Sequence, residues 1–504
     1  MSLLDGGDRD SQSGLREHGA PAPAAAEAAA GGGPLGSTQN NCTPPSEIDR
    51  RRVRFAARAV LWQASTLYPV RTCGRHLAPV VDRSSGHPEP IERHAVEVQR
   101  RGDNERGSVA GYGGLAYCGN VWACPRCSAV VAAERSAHIA AAVAECHSRG
   151  GQVHFVTLTL RHRAGDRVKD LFPILHAGWR AVTGSVAWTG NASRGKVGDR
   201  DRFGVGGFVR VIETTVSRPG SGGHGWHIHV HALLFSMGTL VVGLRPDYER
   251  VLARMAGRPV TVDAEWFSRM VFQARVADRW IRGVTNAGGR VPGAAAVDVR
   301  TIEDGGAEFV GRYLAKGTYD VATRLGAEVA AGDLTKSARE ASNVTPFDLL
   351  AELVVDGPKF GLRTPRRWEI GGDADGLDLL DLDSGELTAI RPPGGWALWV
   401  EWEQATRGRR QLAWAHRPKQ PATDREQFWL ALLDARGAGA EVDDADLAAR
   451  EVGGVVLGDI PRAAWYSRLV WRPSWLVDVL EAAERGGDDL RRWMADRGID
   501  YDPR

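Results

Sequence analysis

Apolar and polar positions alternate with period two along Gly225–Phe235 (GWHIHVHALLF). Strand side chains alternate faces, so Ile228 and Val230 point into a core and His227, His229 and His231 share the other face. The runs 153–160 (VHFVTLTL), 207–216 (GFVRVIETTV) and 297–302 (VDVRTI) read as strands on the same grounds. A Gly-rich turn joins 207–216 to the His strand, which makes the two an antiparallel hairpin. Helical spacing of apolar residues marks 50–68, 128–147, 166–183 (Leu171, Leu175, Trp179), 246–256 and 263–283 (Trp266, Met270, Phe272, Trp280). Residues 324–390 alternate helix-like segments with acidic loops, and 425–504 read as an acidic helical region with Trp429, Trp465, Trp471 and Trp475 inside. The fold class expected is α+β: a central antiparallel sheet flanked by helices, a Cys-rich module before it and a largely helical C-terminal region after it. The divisions fall at 1–48, a low-complexity tail too poor in large apolar residues to order itself; 49–150; 151–330, with the His strand; and 331–504, a region for DNA or a partner.

Composition sharpens this picture in three ways. No run of about 18 apolar residues exists, so no membrane span is expected, and no basic-then-apolar leader opens the chain, which points to the cytoplasm. Six cysteines among 504 residues do not make a disulfide scaffold, and their clustering suggests metal. The net charge of +2 hides an asymmetry: residues 50–324 hold 39 Lys/Arg against 23 Asp/Glu, and the other residues hold 25 against 39. A basic half of this size suits a polyanion such as nucleic acid.

Three imidazoles on one strand face suit a divalent metal, since neutral imidazole is a common ligand. Glu213 lies in the preceding arm of the hairpin, where the right register brings its carboxylate to the imidazoles; the alternative is a cross-strand partner for an arginine. Cys118, Cys124 and Cys127 form a second constellation, with Cys124-x2-Cys127 as a thiolate knuckle for tetrahedral zinc. Cys73, also followed by Gly, is the candidate fourth ligand, with His76 and Cys146 as competitors. Tyr313 and Lys316 share a face of a helix read over 306–316, where a lysine can lower a phenol's pKa or hold a phosphate. The stretch Trp396–Arg417 interleaves four Trp with Arg407, Arg409 and Arg410, a pattern that fits either single-stranded DNA or a helical core.

The order of these motifs, from a strand like FVTLTL through a Glu-bearing strand and a His-x-His-x-His strand to Tyr-x2-Lys, resembles the HUH endonuclease superfamily. More closely, it resembles the rolling-circle replication initiators of plasmids from high-GC bacteria. The resemblance covers about 50–417 and includes Cys-Gly-x4-Cys-Pro-x-Cys at 118–127 and the Trp-x-Glu…Ala-Thr-x-Gly-Arg-Arg stretch from Trp399 to Arg410. It implies an HUH-like fold in which His229 and His231 are the metal-binding pair, with His227 a ligand or a neighbour. Tyr313 takes the nucleophile position, Lys316 the lysine after it, and Tyr319 is the fallback nucleophile. Some relatives carry a Glu four residues before the tyrosine; here Phe309 stands there and Glu308 is one step away.

The implied activity is site-specific nicking and religation of one strand at a plasmid origin, single-stranded or extruded as a hairpin. It would use catalytic Mn²⁺ or Mg²⁺ and structural Zn²⁺, with a host helicase and polymerase as partners. The rival readings are a conjugative relaxase or HUH transposase and a non-enzymatic zinc-dependent DNA-binding repressor.

Overall fold

The computed structural model describes residues 47–82, 89–103, 107–217, 223–238, 245–302, 343–350, 368–373, 376–381, 387–390, 395–437, 444–449 and 451–504. The low-complexity tail up to residue 46 lies outside them.

The central sheet consists of β1 (Gln152–Thr159), β2 (Val205–Ser217), β3 (Trp226–Ser236), β4 (Val297–Ile302), β5 (Asn343–Val344) and β6 (Leu412–Trp414). Its order is β6-β2-β3-β1-β4, with β5 pairing the far end of β2, and every pairing is antiparallel. The expected hairpin is therefore β2–β3. Around it stand helices α1 (Glu47–Ala64), α2 (Pro125–Ser148), α3 (Val168–Gly184), α4 (Ala264–Asn286), α5 (Gly395–Thr406), α6 (Asp424–Ala435) and α7 (Pro473–Arg485). The architecture is α+β, as the periodicities predicted. No described helix is long and apolar enough to cross a membrane.

The two faces of the sheet are covered differently. Val156, Leu158, Ile212, Ile228, Val230 and Leu234 pack under α3 and α4 in the largest core. These helices approach closely because glycines line their contact: a Cβ on Gly178 would sit 2.6 Å from the Trp280 ring. On the opposite face, Val153, Val209, Val211, Leu233 and Phe235 are covered by α2 and α6. Among the described residues, these two helices cover one end of the face. The other end carries the histidines of β3.

A second antiparallel sheet runs in the order 502–503, 455–461, 95–103, 107–113. Val96, Val98 and Ile460 are fully buried in it beneath α7. Residues 455–461 read as part of a helical tail, yet they form a strand paired with 95–103, which in turn forms with 107–113 a hairpin that the apolar periodicity did not mark. Each buries one face only, so its sequence is half polar, and its partner is about 350 residues away. A three-stranded antiparallel meander likewise replaces the acidic loop expected at 368–390 (Trp368–Asp373, Gly376–Asp381, Leu387–Ile390).

His154 is 1% exposed on the α3/α4 face, with Nε2 3.1 Å from Ser236 Oγ and Nδ1 3.3 Å from Thr301 Oγ1. Burial, assisted by Arg269, pulls its imidazole from 6.5 down to about 4. Below pH 6.5 the unfolded chain binds a proton that the folded chain refuses. Stability contributed by the neutral ring is thus lost as pH falls from 6.5 to 4, by roughly 3 kcal/mol. Urea denaturation at pH 7.5 and 4.5 should show the loss, and His154→Gln should narrow the gap between the two curves. An unchanged gap would place the acid sensitivity elsewhere.

Candidate functional site

The hairpin register decides which side chains meet. Glu213 on β2 pairs directly with His229 on β3, while Thr157 of β1 pairs with His231 on the other side. Glu213 Oε2 lies 3.2 Å from His229 Nε2 and 2.9 Å from His231 Nε2. The three ligand atoms fall within 4.8 Å of one another. The imidazoles are well buried, with side-chain exposures of 12% and 7%, whereas the carboxylate is 32% exposed.

Electrostatics favour cation capture here. Burial alone would raise the Glu213 carboxyl, but hydrogen bonds from His229 and His231 overcome it and hold the group well below the usual carboxylate range. Burial lowers His231 below the ordinary imidazole value, so its ring is neutral at pH 7. Its Nδ1 sits 3.1 Å from Thr157 Oγ1. With an ion bound, the proton would move to Nδ1 and donate to Thr157, which would leave Nε2 as the ligand atom, the orienting role that second contacts play around metals. His229 Nδ1 is buried without a hydrogen-bond partner. Two imidazoles and a carboxylate fit a divalent ion with mixed N/O ligation.

His227 shares the face but stands outside this group. Its Nδ1 is 2.9 Å from His162 Nε2, and His162 Nδ1 is 2.8 Å from the His224 carbonyl oxygen. Burial and the neighbouring His229 hold His227 at about 4. Tyr313 and Lys316, with Glu308 and Tyr319, lie outside the described residues. The chain leaves β4 at Ile302 and returns at β5, where Val344 pairs with Val216 on the Glu213 strand.

The sulphurs of Cys73, Cys118, Cys124 and Cys127 form a second group within 4.8 Å. The Cys73–Cys127, Cys118–Cys127 and Cys73–Cys124 separations are 3.5, 3.6 and 3.6 Å. Four sulphurs about 2.3 Å from a tetrahedral zinc stand roughly 3.8 Å apart, so the cage already has nearly that size. All four are free thiols. Hydrogen bonding among them, led by Cys118, holds Cys73 well below the ordinary thiol value and pushes Cys124 well above it. Backbone N–H groups of Cys118 and Asn120 donate to the sulphurs of Cys73 and Cys118. Both Cys-Gly pairs turn through glycines at φ 59° and 64°, the left-handed conformation that other residues resist. The competitors for the fourth place sit elsewhere: His76 Nδ1 is 3.5 Å from Tyr466 Oη, and Cys146 is packed in the α2/α6 core.

Sequence reasoning missed the link between the two groups. Trp122, between Cys118 and Cys124, lines a cavity with Glu213, His231, Phe347, Trp402 and Gln411. Its Nε1 donates to the Arg409 carbonyl oxygen at 2.8 Å, and Trp402 Nε1 donates to the Trp122 carbonyl oxygen at 3.3 Å. Trp402 stacks on Trp226 at 5.7 Å, and Glu401 accepts from Trp226 Nε1 and from Val168 N. Trp399 and Trp402 are therefore core residues of α5, as their i,i+3 spacing allowed.

A Rep protein from Streptomyces lividans is 30% identical to this chain over 358 residues, which cover 66% of the chain and 67% of that protein. The chain belongs to the Rep protein family. This is the family to which the order of motifs pointed. The Rep chain is also 35% identical over 161 residues to a neomycin resistance protein from Streptomyces cyanogenus, matching 29% of the chain and 34% of that protein. No family model matches the chain, and no solved structure does.

Proposed function

We propose that this Rep protein is a cytoplasmic plasmid replication initiator that nicks and later rejoins one strand of origin DNA. The convergence of Glu213, His229 and His231 on one face of the sheet carries the reading. A divalent ion held there, Mn²⁺ or Mg²⁺, supplies charge neutralisation at the scissile phosphate. Tyr313 loses its phenolic proton and its oxygen bonds to phosphorus. The P–O3′ bond breaks, and the departing oxygen takes up a proton to become a 3′-OH. A 5′-phosphotyrosine remains, and because it conserves the phosphodiester, reversal by an incoming 3′-OH needs no nucleotide hydrolysis. Lys316, three residues after Tyr313, favours the phenolate or holds the phosphate. The 3′-OH primes a host polymerase, and a host helicase opens the duplex ahead of it. Zinc held by Cys73, Cys118, Cys124 and Cys127 would have a structural role, keeping Trp122 against the site.

The test is incubation with single-stranded origin DNA and Mn²⁺, resolved on a denaturing gel. A covalent DNA–protein band is expected with the wild type and is expected to vanish in Tyr313→Phe. A band that persists in the variant moves the nucleophile to Tyr319. DNA retention without any covalent band would sink the nickase and leave a DNA-binding repressor.

A further inference from the structure

A cavity of about 450 Å³ lies between α1, α2 and the second sheet, away from the Glu213–His229–His231 group. Five arginines line it: Arg51, Arg54 and Arg58 from α1, Arg101 from the strand Ala95–Asp103, and Arg126 from α2. Glu134 and Glu451 are the acidic residues of the lining. Glu451 already accepts from Gln99 Nε2 at 2.5 Å and from Gly114 N at 2.8 Å.

Two of the arginines are more than nine-tenths buried, Arg51 at 7% exposure and Arg58 at 8%. Each has one committed nitrogen: Arg51 Nη2 donates to Glu484 and Arg58 Nη2 to the Cys73 carbonyl oxygen, both at 2.6 Å. Arg51 Nη1 and Arg58 Nε are buried with no partner. Native proteins rarely leave buried cationic donors unmet, so the protein alone does not fully satisfy either guanidinium.

Guanidinium forks match phosphate oxygens in charge and geometry. The rest of the wall is apolar and aromatic: Val109, Leu115, Val452 and Leu480, with Tyr112 and Tyr117. The volume lies in the range of pockets that enclose small organic ligands, so the site calls for an organic body attached to the anion. We propose that this cavity binds the phosphate of a nucleotide, supplied either as a free nucleoside phosphate or as the 5′-phosphorylated end of a DNA strand. The proposal stands independently of the nicking chemistry. Arg58 also grips the Cys73 carbonyl and Arg126 lies within the Cys124–Cys127 knuckle, so the ligand would lie next to the cysteine cage.

Isothermal titration of the full chain with dATP, and with a tetranucleotide carrying or lacking a 5′-phosphate, tests this. Binding of dATP or of the phosphorylated tetranucleotide is expected, about tenfold weaker in Arg101→Ala and in Arg51→Lys, which keeps the charge but removes the planar fork. Arg101 is exposed, so its variant remains informative if Arg51→Lys fails to fold. Binding of dATP as tight as that of the tetranucleotide assigns a free nucleotide; binding of the phosphorylated tetranucleotide alone assigns a strand end. His229→Ala should bind as the wild type does. No binding by any probe at millimolar concentration overturns the proposal. So do undiminished binding in Arg101→Ala and loss of binding in His229→Ala, the last because it places the phosphate at the metal centre.

Discussion

His229→Ala is expected to slow Mn²⁺-dependent strand cleavage by about 10³-fold, the rate equivalent of several kcal/mol of lost transition-state charge stabilisation. His229 is the cleaner of the two imidazoles to remove. Its Nε2 hydrogen-bonds Glu213, and its buried Nδ1 has no hydrogen-bond partner. His231, by contrast, also meets Thr157 and stacks on Phe155 at 5.1 Å, so its loss would mix chemistry with packing. Calorimetric Mn²⁺ titration should show the weakened ion, and a thermal melt close to that of the wild type should show an intact sheet. Cleavage by the variant at the wild-type rate would remove the Glu213–His229–His231 group from the reaction.

Loss of the cysteine cage should act on stability as well as on activity. Cys127→Ser deletes the sulphur that stands 3.5 and 3.6 Å from Cys73 and Cys118. Structural zinc in small modules contributes apparent binding energies of about 10–16 kcal/mol, as large as the whole folding stability of many domains. The expected result is loss of one zinc per chain by elemental analysis and a thermal transition that falls steeply or splits. Strand cleavage should go with it, because Trp122 would lose its support beside Glu213 and His231. A zinc-free variant with the wild-type melting temperature would make the cage incidental to the fold.

The parts of this molecule that were legible in the chain are those with local periodicity. Alternation along 226–235 was enough to put three imidazoles on one face, but the register that sets Glu213 opposite His229 was left open in the chain and comes from the strand pairing. What alternation could not show is the difference among the three: His227 turns to His162, a residue 65 positions earlier whose approach depends on how β1 ends. The cysteine cage was half legible. Cys124-x2-Cys127 is a local signal, but the choice of Cys73 over His76 or Cys146 depends on where α1 delivers the chain. Trp122 and Thr157 carried no signal of their own, because their roles come from neighbours brought in by tertiary packing. The strands at 95–113 and 455–461 were hidden for a related reason: each is polar on one face and finds its partner only across most of the sequence.

That long-range pairing sets a schedule for the protein's birth. The strand Ala95–Asp103 is hydrogen-bonded to Val455–Pro461, with Arg100 opposite Val455. At roughly 5–20 residues per second, the ribosome needs about 20–70 seconds to make the chain between them. Throughout that interval an edge bearing Val96 and Val98 waits for its mate, open to pairing with the wrong strand or another nascent chain. Expression at lower temperature or with added chaperone should therefore raise the soluble yield of the full chain, whereas truncation before residue 455 should leave that edge permanently unmated.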